Sequence, residues 1–131
     1  VEVNAKDRKY YWLKLQKDFF DSGTIQIIET MPNGMMYSHF YIKALCKSIE
    51  WGGFLMLNQK FPHSVETLAA VMKMDVEIVR GAIETLMSFE MIKQNENGAY
   101  YLPELQTMLG NETYWAKRKR EQRERVSDGP F

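Results

Sequence analysis

Among 131 residues there is one cysteine, Cys46, and there are two histidines, His39 and His63. A single thiol cannot close an internal disulfide, so a reducing interior suits the chain. No CxxC, HExxH or comparable spacing gathers metal ligands. His39 and Cys46 stand seven positions apart, which on a helix is about 10.5 Å of rise and too far for one ion. No glycine-rich loop carries the Lys-Ser/Thr of a phosphate cradle, and Gly52-Gly53 ends a helical stretch instead of opening one. Asp18, Asp21 and Glu29 are scattered carboxylates without a base or nucleophile beside them. An enzyme, a metal site and a cofactor are therefore not expected. No apolar run approaches the roughly 18–20 residues that span a bilayer, and no secretory signal precedes the first charges. The chain opens on Val1 and closes on Ser127-Asp128-Gly129-Pro130-Phe131 without a folding signal, so both ends read as cut and a longer parent protein is expected.

Net charge is also absent, with 17 basic against 17 acidic residues, yet the charges are unevenly placed. Lys117-Arg118-Lys119-Arg120-Glu121-Gln122-Arg123-Glu124-Arg125 packs six basic side chains and two acids into nine residues. Residues 114–131 hold a net +3 and the preceding 113 residues a net −3. That asymmetry points to a polyanion as partner. The run has no apolar face, which argues against a membrane surface. Glu121 and Arg125 form a favourable i,i+4 pair, worth only ~0.2–0.5 kcal/mol, so residues 112–126 form a charged helix or fold when laid on DNA.

Hydrophobic content of 45%, with seven Phe, seven Tyr and three Trp, is enough for one core plus a tail. Residues 10–15 read as a short strand or extended segment, and Phe19 to Gly23 as a turn. Ile25, Ile27 and Ile28 start a short helix that stops before Pro32-Asn33-Gly34. Apolar positions 37, 41, 45 and 49 predict a buried helix from Met35 to Glu50, with Cys46 half-buried beside them. Phe54 to Leu57 reads as a strand. Ser64 caps a helix from Val65 to about Met72, with Leu68 and Val71 inward. After the Lys73-Met74-Asp75 turn, Asp75 caps a second helix to about Ser88, with Val76, Val79, Ile83 and Leu86 on its inner side. Residues 91–94 and 99–102 flank Asn95-Glu96-Asn97-Gly98 as a hairpin. Mainly α with a small β component, this is the order of a winged helix-turn-helix. It predicts a domain over residues 1–110 with an N-terminal extension, and a basic tail over 111–131.

In such a module the second helix enters the major groove. Its outer positions are Glu77, Arg80, Gly81, Glu84, Thr85 and Ser88. Arg80 suits guanine or phosphate, Thr85 and Ser88 are smaller donors, and Glu84 can accept from cytosine. Two acids against one arginine make a weak reading face, and a pure packing helix fits equally. In the hairpin Lys93, Asn95 and Asn97 are the contact candidates. In the tail they are Lys117, Arg118, Lys119, Arg120, Arg123 and Arg125. Lys6, Arg8, Lys9, Lys14 and Lys17, interleaved with Tyr10, Tyr11 and Trp12, either stack single-stranded bases or close the core and solubilise its rim. Met31, Met35 and Met36 could line an adaptable contact surface.

Arg8-Lys9-Tyr10-Tyr11-Trp12-Leu13-Lys14-Leu15 with Asp18-Phe19-Phe20 resembles the start of the N-terminal domain of phage replisome organiser proteins. So do Glu66-Thr67-Leu68-Ala69, Tyr101-Leu102-Pro103-Glu104, and Glu112 to Arg125 with its Arg118-Lys119-Arg120-Glu121-Gln122-Arg123. The similarity covers roughly residues 7–125. Its domain plan is related to that of bacterial primosome initiation proteins of the DnaD kind. The resemblance implies a winged helix that binds repeated sites in double-stranded origin DNA, with single-stranded DNA as a second form of that partner. It implies a homodimer or higher oligomer, contact with a helicase loader or helicase through a missing C-terminal region, and residence in the cytoplasm of a bacterial host. Within DNA binding, a winged-helix transcriptional regulator is the alternative; outside it, a protein-interaction module that reads no sequence.

Overall fold

The computed structural model describes residues 12–109, in which helices frame a two-stranded antiparallel sheet. Residues 13–16 are irregular, so of the strand or extended segment expected at 10–15 the strand is not formed in its described part. Trp12 is 57% exposed and does not close the core, although Leu13 packs against it. A 3₁₀ turn over Phe19–Asp21 leads to α1 (Gly23–Glu29). The Ser22 hydroxyl starts α1 by accepting from the Ile25 N–H at 3.2 Å, and Ile25 and Ile28 face inward.

Next comes α2 (Gly34–Ser48), entered through Asn33 at φ 64° and continued by a 3₁₀ turn over Ile49–Trp51. Gly34 sits against the backbone of the end of α1. A Cβ there would run into the Ile28 carbonyl oxygen and the backbone of Glu29. Ser38 on α2 donates to Glu29 Oε2 at 2.6 Å and fastens the same corner. Because α2 packs against both α1 and α4, it buries Ser38, Phe40, Tyr41, Ala44, Leu45 and Ser48, a wider arc than the run 37, 41, 45, 49. Cys46 falls on the remaining open arc and is exposed, not half-buried.

The strand expected over Phe54 to Leu57 shrinks to two single bridges, Phe54 with Tyr101 and Met56 with Pro62. The chain reverses too soon for more: the Asn58 carboxamide oxygen accepts from the N–H of Lys60 and Phe61 at 2.8 and 2.9 Å. A Ser64–Thr67 capping box then opens α3 (Val65–Met72). Leu68, Ala69 and Met72 are its buried residues; Val71, expected inward, lies outside that arc and is 40% exposed. α3 stops at Lys73, whose φ of 56° lets the N–H of Met74 reach the Ala69 carbonyl at 3.1 Å. Lys43 of α2 donates to the Met72 carbonyl at 2.8 Å, a cation at the negative end of the helix.

Asp75 starts α4 (Val76–Ser88) as expected, its Oδ1 accepting from the N–H of Glu77 at 2.8 Å and Ile78 at 3.3 Å. Val79, Ala82, Ile83 and Leu86 are buried, and Val76 only partly. β1 (Lys93–Gln94) pairs with β2 (Tyr100–Tyr101), Lys93 opposite Tyr101 and Gln94 opposite Tyr100. The Leu55 N–H to Tyr100 carbonyl bond, 2.9 Å, lays the bridge segment along β2. Residues 105–109 are helical and bury Leu105, Met108 and Leu109. Tyr41 donates to Glu104 at 2.5 Å, tying this last segment to α2. Burial first, and then the Glu104 carboxylate, holds the Tyr41 phenol far above its usual pKa, so it stays a donor.

Gly81 was expected on the outer face of α4, but it faces α2. A Cβ there would overlap the Tyr37 hydroxyl oxygen. The obstacle is a side-chain tip, so Gly81→Ala should destabilise the domain while the same change in a Tyr37→Ala background should stabilise it, by up to ~1 kcal/mol of helix propensity. Denaturant unfolding of the four variants checks the change of sign.

Candidate nucleic-acid interface

Two short helices joined by the 73–75 turn, with the β1–β2 hairpin after them, carry the expected contact residues of the body, and of those on α4 Gly81 faces α2. Positions 77, 80, 84 and 88 follow one another at three- and four-residue steps, a single stripe on a helix. Glu77, Glu84 and Ser88 are exposed; Arg80 and Thr85 are half-buried. Arg80 is not solitary. Its guanidinium lies 3.4 Å from Glu66 Oε2 on α3 and 3.5 Å from Glu77 Oε1 one turn back on α4. Exposed pairs of this kind are screened by solvent and hold little, so Arg80 can leave them, but two carboxylates then face whatever it joins.

Glu66 was missed in the sequence as a member of this site. It occupies the first turn of α3, where unpaired N–H groups favour an acid. The backbone N–H first, and the Arg80 side chain next, hold its carboxyl below the usual range. Position 66 meets position 80 only when α3 packs on α4, and no local pattern announces that.

Two other candidates are partly committed elsewhere. The Ser88 hydroxyl donates to the Thr85 carbonyl at 2.6 Å. Asn95 accepts from the N–H of Asn97 and Ala99, both at 2.9 Å, so its side chain shapes the hairpin loop. Gly98, at φ 86°, completes that loop, while Lys93 and Asn97 remain exposed. Tyr100 is buried at the hairpin root. Its phenol is raised by burial and next by the Glu66 carboxylate, with Arg80 opposing, so the root lies in the field of the same ion pair.

Electrostatics separates this surface from the rest of the chain. Residues 64–98 carry six carboxylates and three cations, a net −3. A broad groove of about 960 Å³ elsewhere is rimmed by Asp18, Asp21, Glu90 and Glu104, with Lys14 its one lining cation. Phosphate would not be drawn to either region by net charge. The concentrated positive charge is at 117–125; Lys117, Arg118, Lys119, Arg120, Arg123 and Arg125 lie outside the described residues, as do Lys6, Arg8, Lys9, Tyr10 and Tyr11. Among the described residues no three His, Cys, Asp or Glu side chains are placed to hold a metal ion, and no helix is long and apolar enough to cross a membrane.

The model of the N-terminal phage replisome organiser family matches residues 12–129. The chain belongs to this family. The match runs through the helices, the hairpin and the basic run. Membership gives the chain a role in phage replication and sets its partners among those of replication. No curated protein and no solved structure matches it.

Proposed function

We propose that this replisome organiser domain binds double-stranded DNA at a phage replication origin and self-associates there, so that the assembly, and not bond-making chemistry, prepares the site for the replication machinery. The division of charge supports this most: a net −3 over residues 64–98 and a net +3 over 114–131. The tail supplies affinity by displacing counterions from the phosphate backbone. The α3–turn–α4 unit and its hairpin serve as a winged helix-turn-helix, with α4 in the major groove, Arg80 at a guanine or phosphate, and Lys93 and Asn97 toward the neighbouring backbone. Single-stranded DNA, once exposed, suits the same tail.

Titration of the full chain with an origin-repeat duplex and a scrambled duplex of equal length tests it. The repeat should bind more tightly, and Arg80→Ala should remove that preference while leaving scrambled DNA nearly unaffected. Equal losses on both would refute the role of Arg80. A second reading is favoured by the acids Glu66, Glu77 and Glu84: that the α4 face meets a protein. Glu77→Gln with Glu84→Gln separates the two, because a face that approaches phosphate should then bind DNA several-fold more tightly at low salt. Unchanged DNA binding with altered assembly would favour the protein reading.

A further inference from the structure

The groove of about 960 Å³ lies where the described chain ends: Thr107 and Met108 line it, and Leu109 is the last residue described. Leu15, Phe19, Met91 and Met108 give it an apolar lining. Asp18, Asp21 and Glu90 are exposed on the same lining, and none of the three is taken by a hydrogen bond or ion pair among the described residues. Two other lining groups count for less. Glu104 already accepts from Tyr41, and Lys14 opposes the acids.

The chain that follows Leu109 has the complementary chemistry. Gly110 allows a reversal, Tyr114-Trp115 is an aromatic pair, and Lys117-Arg118-Lys119-Arg120 is an uninterrupted run of four cations. The five steps from Leu109 to Tyr114 span up to about 17 Å when extended, enough to turn back over a groove that residues 107 and 108 themselves line. We propose that the groove holds the chain's own segment 114–120, with Tyr114 and Trp115 on the apolar lining and the four cations along Asp18, Asp21 and Glu90, so that the free protein shelters the run that DNA requires. The docking stands on the groove and the chain beyond it; the sheltering rests on the DNA binding proposed above. A separate peptide of this kind would bind weakly, because exposed ion pairs hold little. Tethered through residues 110–113, the segment meets its groove at an effective concentration on the order of millimolar, so an intrinsic Kd of about 0.1 mM already fills the groove roughly ten to one. DNA must then withdraw the segment, and its apparent affinity is lowered by the same factor of about ten.

Zero-length carbodiimide cross-linking of the full chain at low salt, read by peptide mass spectrometry on the monomer, tests the docking. Lys117 or Lys119 should be joined to Asp18, Asp21 or Glu90 at a yield independent of protein concentration, and Trp115→Ala should lower that yield several-fold. Saturating origin-repeat duplex should abolish the cross-link. Asp18→Asn, Asp21→Asn and Glu90→Gln together, all at exposed positions, should raise duplex affinity about tenfold. That gain should largely vanish once Lys117, Arg118, Lys119 and Arg120 are replaced by Gln. No such cross-link in the monomer overturns the docking and leaves DNA binding standing. A cross-link found only in covalent dimers does the same and assigns the groove to the tail of a second copy. An equal gain in both backgrounds, or a cross-link that persists under bound duplex, overturns the sheltering, because the acids then act only by general repulsion. A cross-linked monomer that binds no duplex removes the DNA reading and leaves the docking in place.

Discussion

Replacing Lys117, Arg118, Lys119 and Arg120 together by Gln should weaken binding to origin and scrambled duplex alike, by about 10²–10³-fold near ~50 mM salt. Each cation that touches a phosphate releases condensed counterions, and the dependence of log K on log salt steepens by about 0.9 per contact on duplex DNA. Losing four should flatten that slope by about three to four. The effect is large because nothing in residues 64–98 compensates: six carboxylates there outnumber three cations, and Arg80 already stands between Glu66 and Glu77. Preference for the origin repeat should survive, since these four side chains read charge and not bases. A binding series at several salt concentrations measures both quantities. An unchanged slope would show that the run does not touch phosphate, and affinity would then have to come from Lys6, Arg8, Lys9 and their neighbours.

Gly34→Ala should cost about 2–3 kcal/mol of stability, although alanine is the better helix former by ~1 kcal/mol. The added methyl would meet the Ile28 carbonyl oxygen and the Glu29 backbone, neither of which can rotate away as a side chain could. Relief requires α1 to move off α2, which would disturb the buried Ile25 and Ile28 and the bond from Ser38 to Glu29. For a domain of this size the unfolding midpoint should fall by roughly 10–20 °C, readable by circular dichroism. An unchanged midpoint would mean that α1 is only loosely held. The contrast with Gly81, where a Tyr37 side chain is the obstacle, separates a backbone constraint from a packing constraint.

Much of the fold was legible because it is decided within a few residues. Ser64 and Asp75 bond N–H groups two or three positions ahead of them, so their helix starts could be read directly. The Asn97-Gly98 pair marks its own turn, and Pro32-Asn33-Gly34 its own break. The candidate site was less legible. Arg80 was found, but Glu66, fourteen positions away, was not. Asn95 reads equally as a contact residue or a loop-former, and only the positions of the Asn97 and Ala99 N–H groups decide.

By itself, then, the sequence determined where α3 and α4 start and where the hairpin turns, though its strands are only Lys93–Gln94 and Tyr100–Tyr101 and not the expected 91–94 and 99–102, together with the division of charge between body and tail and membership of the replisome organiser family. Tertiary structure alone decided which sides of those elements are covered. Val71 and Cys46 face out, Gly81 faces in, and Phe54 to Leu57 forms bridges in place of a strand. The physical reason is one of range. Caps and turns are made by neighbours in the chain, whereas burial depends on where α2, α3 and α4 come to rest against one another. That placement sets the one arginine of α4 between the carboxylates of Glu66 and Glu77.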